Sequence, residues 1–225
     1  MHSQLPQSEI IRRTERHRAS PHSGALARFT IGVPMKFRRS GTIYAQGDPV
    51  EHVYEVVRGG VRTVNILPDG RRQIGGFYFA GETFGLDDRN ERSSSAEAMV
   101  NSEVWVVRRR TLINLARQDG ELAEQLLAVT RREMARQQNH ALMLVKTAEE
   151  RLGSFLLELA GRISIGNSID LPMSRQDIAD HLGVTVETIS RTFTALTSRS
   201  IIRLPNARAV ILHDRSKLSR EVHYD

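Results

Sequence analysis

The stretch from Ser174 to Phe193, SRQDIADHLGVTVETISRTF, gathers the side chains best suited to chemistry. Glu187, Ser190 and Arg191 share one helical face at i, i+3 and i+4, with Val186 beside them. A guanidinium can pair bidentately with the O6/N7 edge of a guanine, a carboxylate can accept from the cytosine amine, and a small hydroxyl can bond a base edge. Val186 offers an aliphatic surface for a thymine methyl. Together these groups suit recognition, not bond making.

Two helices must position them. Ser174 is placed to cap the first, with Asp177 three residues on to return the bond. Ile178 and Leu182 form its inner stripe at i, i+4, and Ala179 is small where two helices cross. Gly183 follows where a helix ends in a positive φ that glycine adopts most cheaply. Val184 plugs the turn, Thr185 can cap the second helix, and Ile189 and Phe193 form that helix's buried side. The pattern predicts a helix-turn-helix whose second helix turns Val186, Glu187, Ser190 and Arg191 outward, where a recognition helix meets base edges. Arg175 and the caps Ser174 and Thr185 are candidates for phosphate contact through side chains and helix N-termini. The alternative is a helical hairpin with a solvated polar face, in which Glu187 and Arg191 form only a weak i, i+4 ion pair.

Downstream, Ile201–Leu204 and Ala209–Leu212 flank Pro205-Asn206-Ala207-Arg208, a predicted β-hairpin wing. Arg203 and Arg208 on it are either phosphate contacts or solvated side chains.

Upstream, residues 1–22 read as a flexible basic arm with Pro6 and Pro21 as breakers, and a short helix is predicted near Gly24–Phe29. From Val33 to Arg108 short alternating runs are punctuated about every ten residues by turn residues such as Ser40-Gly41, Gly59-Gly60 and Asp69-Gly70. This spacing predicts an antiparallel β-barrel or jelly roll within 23–119. The period then turns helical. Leu127, Met134, Ala141, Ala148 and Phe155 recur at intervals of seven, and Val145 fills a neighbouring seam position. A long helix over 120–146 with that apolar seam needs a surface to pack on, and a twofold partner is the reading preferred over the chain's own barrel. Leu127, Met134, Ala141, Val145 and Ala148 are the dimerisation candidates. The helix-turn-helix and wing then occupy 147–225, giving an α+β chain of β-barrel, long dimerisation helix and winged helix-turn-helix.

Composition narrows the classes. The 225 residues carry a net charge of +6, and the first 28 hold 5 basic against 2 acidic groups, which favours a polyanionic partner mildly. With no run of 18 apolar residues and no secretory leader, the expected location is the cytoplasm and no membrane partner is expected. Cysteine is absent, so disulfides, zinc fingers and cysteine-held iron–sulfur clusters are excluded. No nucleophile elbow, P-loop, HExxH or dinucleotide fingerprint occurs. Glu149-Glu150 are adjacent carboxylates that do not face each other on a helix. His52 and His140 are lone histidines, a poor basis for a haem. The expectation is a non-enzyme with no metal and no cofactor.

The order of these parts resembles the CRP/FNR superfamily of bacterial transcription regulators. The resemblance spans Val33 to Leu212 and rests on Gly41-Thr42-Ile43, Gly47-Asp48, Tyr54, Gly59, Asp69-Gly70-Arg71, Gly81-Glu82-Thr83-Phe84-Gly85 and SRQDIADHLGVTVETISR. The VETISR segment is similar to the FNR and FixK branches, and Gly81-Glu82-Thr83-Phe84-Gly85-Leu86 with Ser95-Ala96-Glu97-Ala98 to the FixK-like subgroup. That resemblance implies a homodimer binding a TTGA-like inverted repeat in double-stranded DNA, activation through RNA polymerase, and control of low-oxygen metabolism genes. A cyclic-nucleotide-responsive regulator of the same architecture is the alternative. Against it, Leu86-Asp87 stand where cyclic-nucleotide binders have a glutamate for the ribose. Arg92-Ser93 survives at shortened spacing, and Arg136 and Gln137 occupy the positions that should face the base.

Overall fold

The computed structural model describes residues 32–143 and 145–222, with side chains through 219. The basic arm and the short helix expected near Gly24–Phe29 lie outside the described residues.

Eight short strands follow one another: β1 Val33–Phe37, β2 Thr42–Tyr44, β3 His52–Arg58, β4 Gly60–Ile66, β5 Arg72–Phe79, β6 Thr83–Phe84, β7 Ser95–Ala98 and β8 Ser102–Arg108. They form two antiparallel four-stranded sheets, ordered β1-β8-β3-β6 and β2-β7-β4-β5. The arrangement is a jelly roll of two facing sheets, not a closed barrel. Alternation sorts the side chains of β5: Tyr78 faces the interior between the sheets, while Phe77 and Phe79 face the opposite way, into the core shared with the C-terminal part. The hairpin expected at Asp69-Gly70 joins β4 to β5, with Gly70 at φ 80°.

Helices follow. α1 (Arg109–Ala116) and the start of α2 (Gly120–Met143) cover the outer face of β3 and β8, where Leu112 and Leu122 pack on Val53 and Val107. The heptad pattern suggests a single continuous period to Phe155, but α2 stops at Met143 and α3 runs Ala148–Ile163. Thr147 caps α3: its hydroxyl accepts from the Glu150 amide, and Glu150 reaches back to the Thr147 amide at 2.6 Å. Ala148 and Phe155 therefore sit on a second helix, and Phe155 is buried in the C-terminal core.

The last part holds β9 (Ser168–Asp170), α4 (Arg175–Leu182), α5 (Val186–Ser198), β10 (Ile202–Arg203), β11 (Ala209–Leu212) and α6 (Arg215–Val222). The wing is a three-stranded sheet, β10-β11-β9, because Ile169 pairs with Val210. Ser168–Asp170 is a third strand beyond the two-stranded hairpin expected from sequence. This part is not tethered by a linker alone. Val64, Ile74, Phe77 and Phe79 of the jelly roll share one continuous apolar core with Met143, Phe155, Ile178, Leu182, Ile189 and Phe193.

Candidate nucleic-acid interface

The reader is built as its sequence predicts. The Ser174 hydroxyl accepts from the Asp177 amide at 3.0 Å, and Asp177 accepts from the Ser174 amide at 2.9 Å, closing a capping box on α4. Gly183 ends α4 at φ 66°, and Arg151 donates to the Leu182 carbonyl at 2.8 Å, supplying one of the orphan acceptors. Thr185 caps α5 by accepting from the Thr188 amide at 3.2 Å. Ile189, Phe193 and Leu196 are buried, and Ala179 is buried where α4 crosses α5.

The opposite face of α5 is open. Glu187, Ser190 and Arg191 are exposed, while Val186 is half-buried against the core. Thr194, one turn beyond Ser190, is exposed on the same face and extends the candidate surface; its i+4 spacing from Ser190 was the available signal. No ion pair joins Glu187 to Arg191 among the described residues. The Glu187 carboxyl is held below its usual range first by its own backbone amide, then by the Thr185 hydroxyl, with a smaller pull from the Arg191 charge. Arg191 is left available to solvent or to a base.

Arg175 departs from expectation. Its guanidinium lies over the Phe193 ring, 3.2 Å from the centroid, with one buried nitrogen lacking a hydrogen-bond partner. Burial pushes its pKa down to about 10, so it stays charged at neutral pH. A phosphate contact would require it to swing out. The Ser174 hydroxyl is likewise occupied, donating to Asp177 at 2.9 Å. On the wing, Arg203 and Arg208 are exposed, and Asn206 accepts from the amides of Arg208 and Ala209 at 2.8 Å, shaping the turn that carries Arg208.

The seam of α2 is exposed. Leu127 is 49%, Met134 58% and Val145 88% accessible, and Leu142, which sequence reading passed over, joins them. Ala141 is exposed on the same helix, whereas Ala148 lies half-buried in the first turn of α3. Glu150 is used in the α3 cap and Glu149 pairs with Arg199 at the end of α5.

The jelly-roll interior, where a small effector would sit, is filled. Tyr44, Tyr54, Tyr78 and Phe84 stack with neighbouring centroids 5.2–6.3 Å apart. Arg92 turns inward over Tyr44 at 4.2 Å and Tyr54 at 5.4 Å. It donates to Asp87 at 2.8 Å, to the Gly85 carbonyl at 2.9 Å and to the His52 carbonyl. Burial opposes the charge of Asp87, but the bonds from Arg92 and Ser93 outweigh it and hold its carboxyl below the usual range. Gly85, at φ 75°, leaves room for this arrangement, since an added Cβ would stand 2.9 Å from the Arg92 Nη1. Arg136 lies over Tyr78 and pairs with Glu133 at 3.2 Å and Glu82 at 3.4 Å, while Gln137 donates to Glu133. No cluster able to hold a metal ion, and no helix long and apolar enough to cross a membrane, occurs among the described residues.

Where the reader meets the jelly roll, His181 Nδ1 lies 3.1 Å from the Ile74 carbonyl oxygen, and its ring stacks 4.6 Å from His140. Burial pushes His181 down to about 4, from about 6.5 for a free imidazole. The unfolded chain thus binds this proton at a higher pH than the folded one. Stability is complete above pH 6.5, falls as pH drops towards 4 and gains no further loss from this group below that. The full effect is about 3 kcal/mol. Urea melts across that window should show a shallower slope for His181→Gln; an unchanged slope would refute the assignment.

A capped helix-turn-helix with a wing, docked on a jelly roll, defines a DNA-binding transcription regulator. The chain matches the Crp-like helix-turn-helix domain family over 150–221 and the cyclic nucleotide-binding domain family over 34–119. It is 44% identical over 196 residues to the nitrogen fixation regulation protein FixK of Azorhizobium caulinodans, covering 84% of this chain and 79% of that one. The FixK of Rhizobium meliloti is 42% identical over 169 residues, 75% of this chain and 77% of that protein. The solved structure of FixK2 from Bradyrhizobium japonicum superposes with a TM-score of 0.82 at 37% identity, over 87% of this chain and 99% of that chain. This chain belongs to the CRP/FNR superfamily of transcription regulators, in its FixK-like branch.

Proposed function

We propose that the chain is a transcriptional activator of the FixK type, working inside the cell as a homodimer that reads a TTGA-like inverted repeat and controls genes of low-oxygen metabolism. The observation that carries this reading is the face of Glu187, Ser190, Arg191 and Thr194, left open on a helix whose other side is buried. In such a dimer the apolar seam of Leu127, Met134, Ala141 and Leu142 packs against its twofold copy, with Val145 at its end. The two α5 helices then enter successive major grooves about 34–36 Å apart. Arg191 pairs with a guanine, Glu187 with a cytosine amine, and Val186 and Ser190 meet thymine methyls or base edges. As an activator it would also contact RNA polymerase. Selection of bound duplexes from a random pool tests half-site, gap and symmetry together; a non-palindromic or featureless selection would defeat the proposal.

Arg203 and Arg208 serve the phosphates. Alanine at either should lower affinity evenly across sequences and reduce the salt slope by about one, as loss of one phosphate contact does. A change in base preference would reassign them.

The regulator works without a cyclic nucleotide. To engage a ligand's phosphate, Arg92 would have to leave Asp87 and two backbone carbonyls, and charged hydrogen bonds of this kind contribute about 1.5–3 kcal/mol each. The aromatic stack would also have to open. Calorimetry with cyclic AMP and cyclic GMP should give no binding heat; heat at micromolar ligand would restore the cyclic-nucleotide alternative.

A further inference from the structure

The reader's first helix is clamped to the jelly roll by a charged cluster that joins arginines and aspartates more than 100 residues apart in sequence. Arg62 on β4 donates through Nη1 to both oxygens of Asp177 at 2.9 Å, and through Nε and Nη2 to Glu97 at 3.1 and 2.7 Å. Arg72 on β5 donates to Asp177 at 3.0 Å and to Asp180 at 2.8 Å. Asp177 is buried and also closes the cap on Ser174. One carboxylate therefore fixes the start of α4 and its bearing on the sheet.

Such a cluster does not exist for stability alone. Buried ion pairs are often matched or exceeded by well-packed apolar groups, and Ile74, Phe77 and Phe79 already supply an apolar docking surface beneath the reader. Apolar contact is non-directional. A guanidinium held on carboxylates is directional, since its planar fork constrains both angle and distance. A second tie lies elsewhere: Arg162 of α3 bonds Glu82, in the turn before β6, at 2.6 and 2.9 Å. Two separated ties remove the rotation that either one alone would permit.

We infer that Arg62 and Arg72 are positioning residues for DNA reading: through Asp177 and Asp180 they set the angle of each reading head on its own jelly roll, and so the gap length the dimer accepts between half-sites. This rests on the homodimer reading above. A head without the Arg62 and Arg72 bonds, held by the apolar core, the His181–Ile74 contact and the Glu82–Arg162 tie, still recognises its half-site, because the α5 face is untouched, but its angle is less sharply fixed and so is the spacing it presents.

The test is selection of duplexes from a random pool by the full chain, comparing the parent with Arg62→Gln/Arg72→Gln. The variant should select the parent's half-site with neighbouring gap lengths admitted. Its affinity for the parent's best gap should fall about tenfold, as linked modules lose avidity when geometry hinders joint engagement. Asp180→Asn, which leaves Asp177 and its cap intact, should shift the gap distribution the same way to a smaller extent; it decides the matter if the double variant does not fold. A gap distribution as sharp as the parent's in a folded variant overturns the inference. A parent that selects no inverted repeat overturns the dimer reading instead, so the two failures are distinct.

Discussion

Arg191→Ala is expected to weaken binding to the preferred duplex by about 1–3 kcal/mol and to relax the choice at a single base pair of each half-site, leaving the others intact. The expectation follows from an open guanidinium on the first turns of a rigid, capped helix. Because Glu187 is engaged at the helix N-terminus and the Arg191 charge adds only the smallest of the pulls that lower its pKa, removing the arginine breaks no close ion pair. The folded chain should therefore melt at the parent's temperature, and the whole effect should appear in binding. Fluorescence anisotropy on the selected duplex and its single-base variants measures it. Normal affinity with unchanged base preference would remove Arg191 from the reading surface.

Arg92→Ala should act on the other quantity. Its guanidinium is buried among Tyr44, Tyr54, Asp87 and two carbonyl oxygens. Deleting it leaves the half-buried Asp87 carboxylate without its cation and a hole among the aromatic rings, costs that together reach about 3–5 kcal/mol. For a chain of this size the melting temperature should fall by about 10 °C. An arginine kept to hold a ligand's phosphate behaves oppositely, its loss leaving the ligand-free protein about as stable. Thermal melts of the two proteins without ligand therefore discriminate a structural arginine from a binding one; an unshifted melt would count against the filled interior.

The reader was legible because its signals are local. Ser174, Asp177, Gly183 and Thr185 each act within a few residues, and their backbone consequences follow directly. Periodicity placed most strands for the same reason. Periodicity alone does not mark the break between α2 and α3, because Leu127, Met134, Ala141, Ala148 and Phe155 keep their spacing across it. The signal that contradicts that spacing, Thr147 with Glu150 three residues on, was present in the sequence. Partnerships at long separation left no trace of that kind. Nothing in the order of residues announces that Arg62 and Arg72 meet Asp177, that Arg92 folds inward, or that Arg175 lies on Phe193 instead of reaching outward. Those outcomes are decided by which surfaces pack together. The exposed partners of the α2 seam were readable, but Ala148, which continues their seven-residue spacing, lies on the next helix and is half-buried.

The interruption at Thr147 also governs how the chain tolerates changes of length. Were the helix unbroken, each inserted residue would act like a crankshaft, turning everything beyond it by about 100° and advancing it by about 1.5 Å. A freshly capped start on α3 breaks that transmission. Extra residues in the joint would bulge outward, while those added inside α2 would throw the seam out of phase.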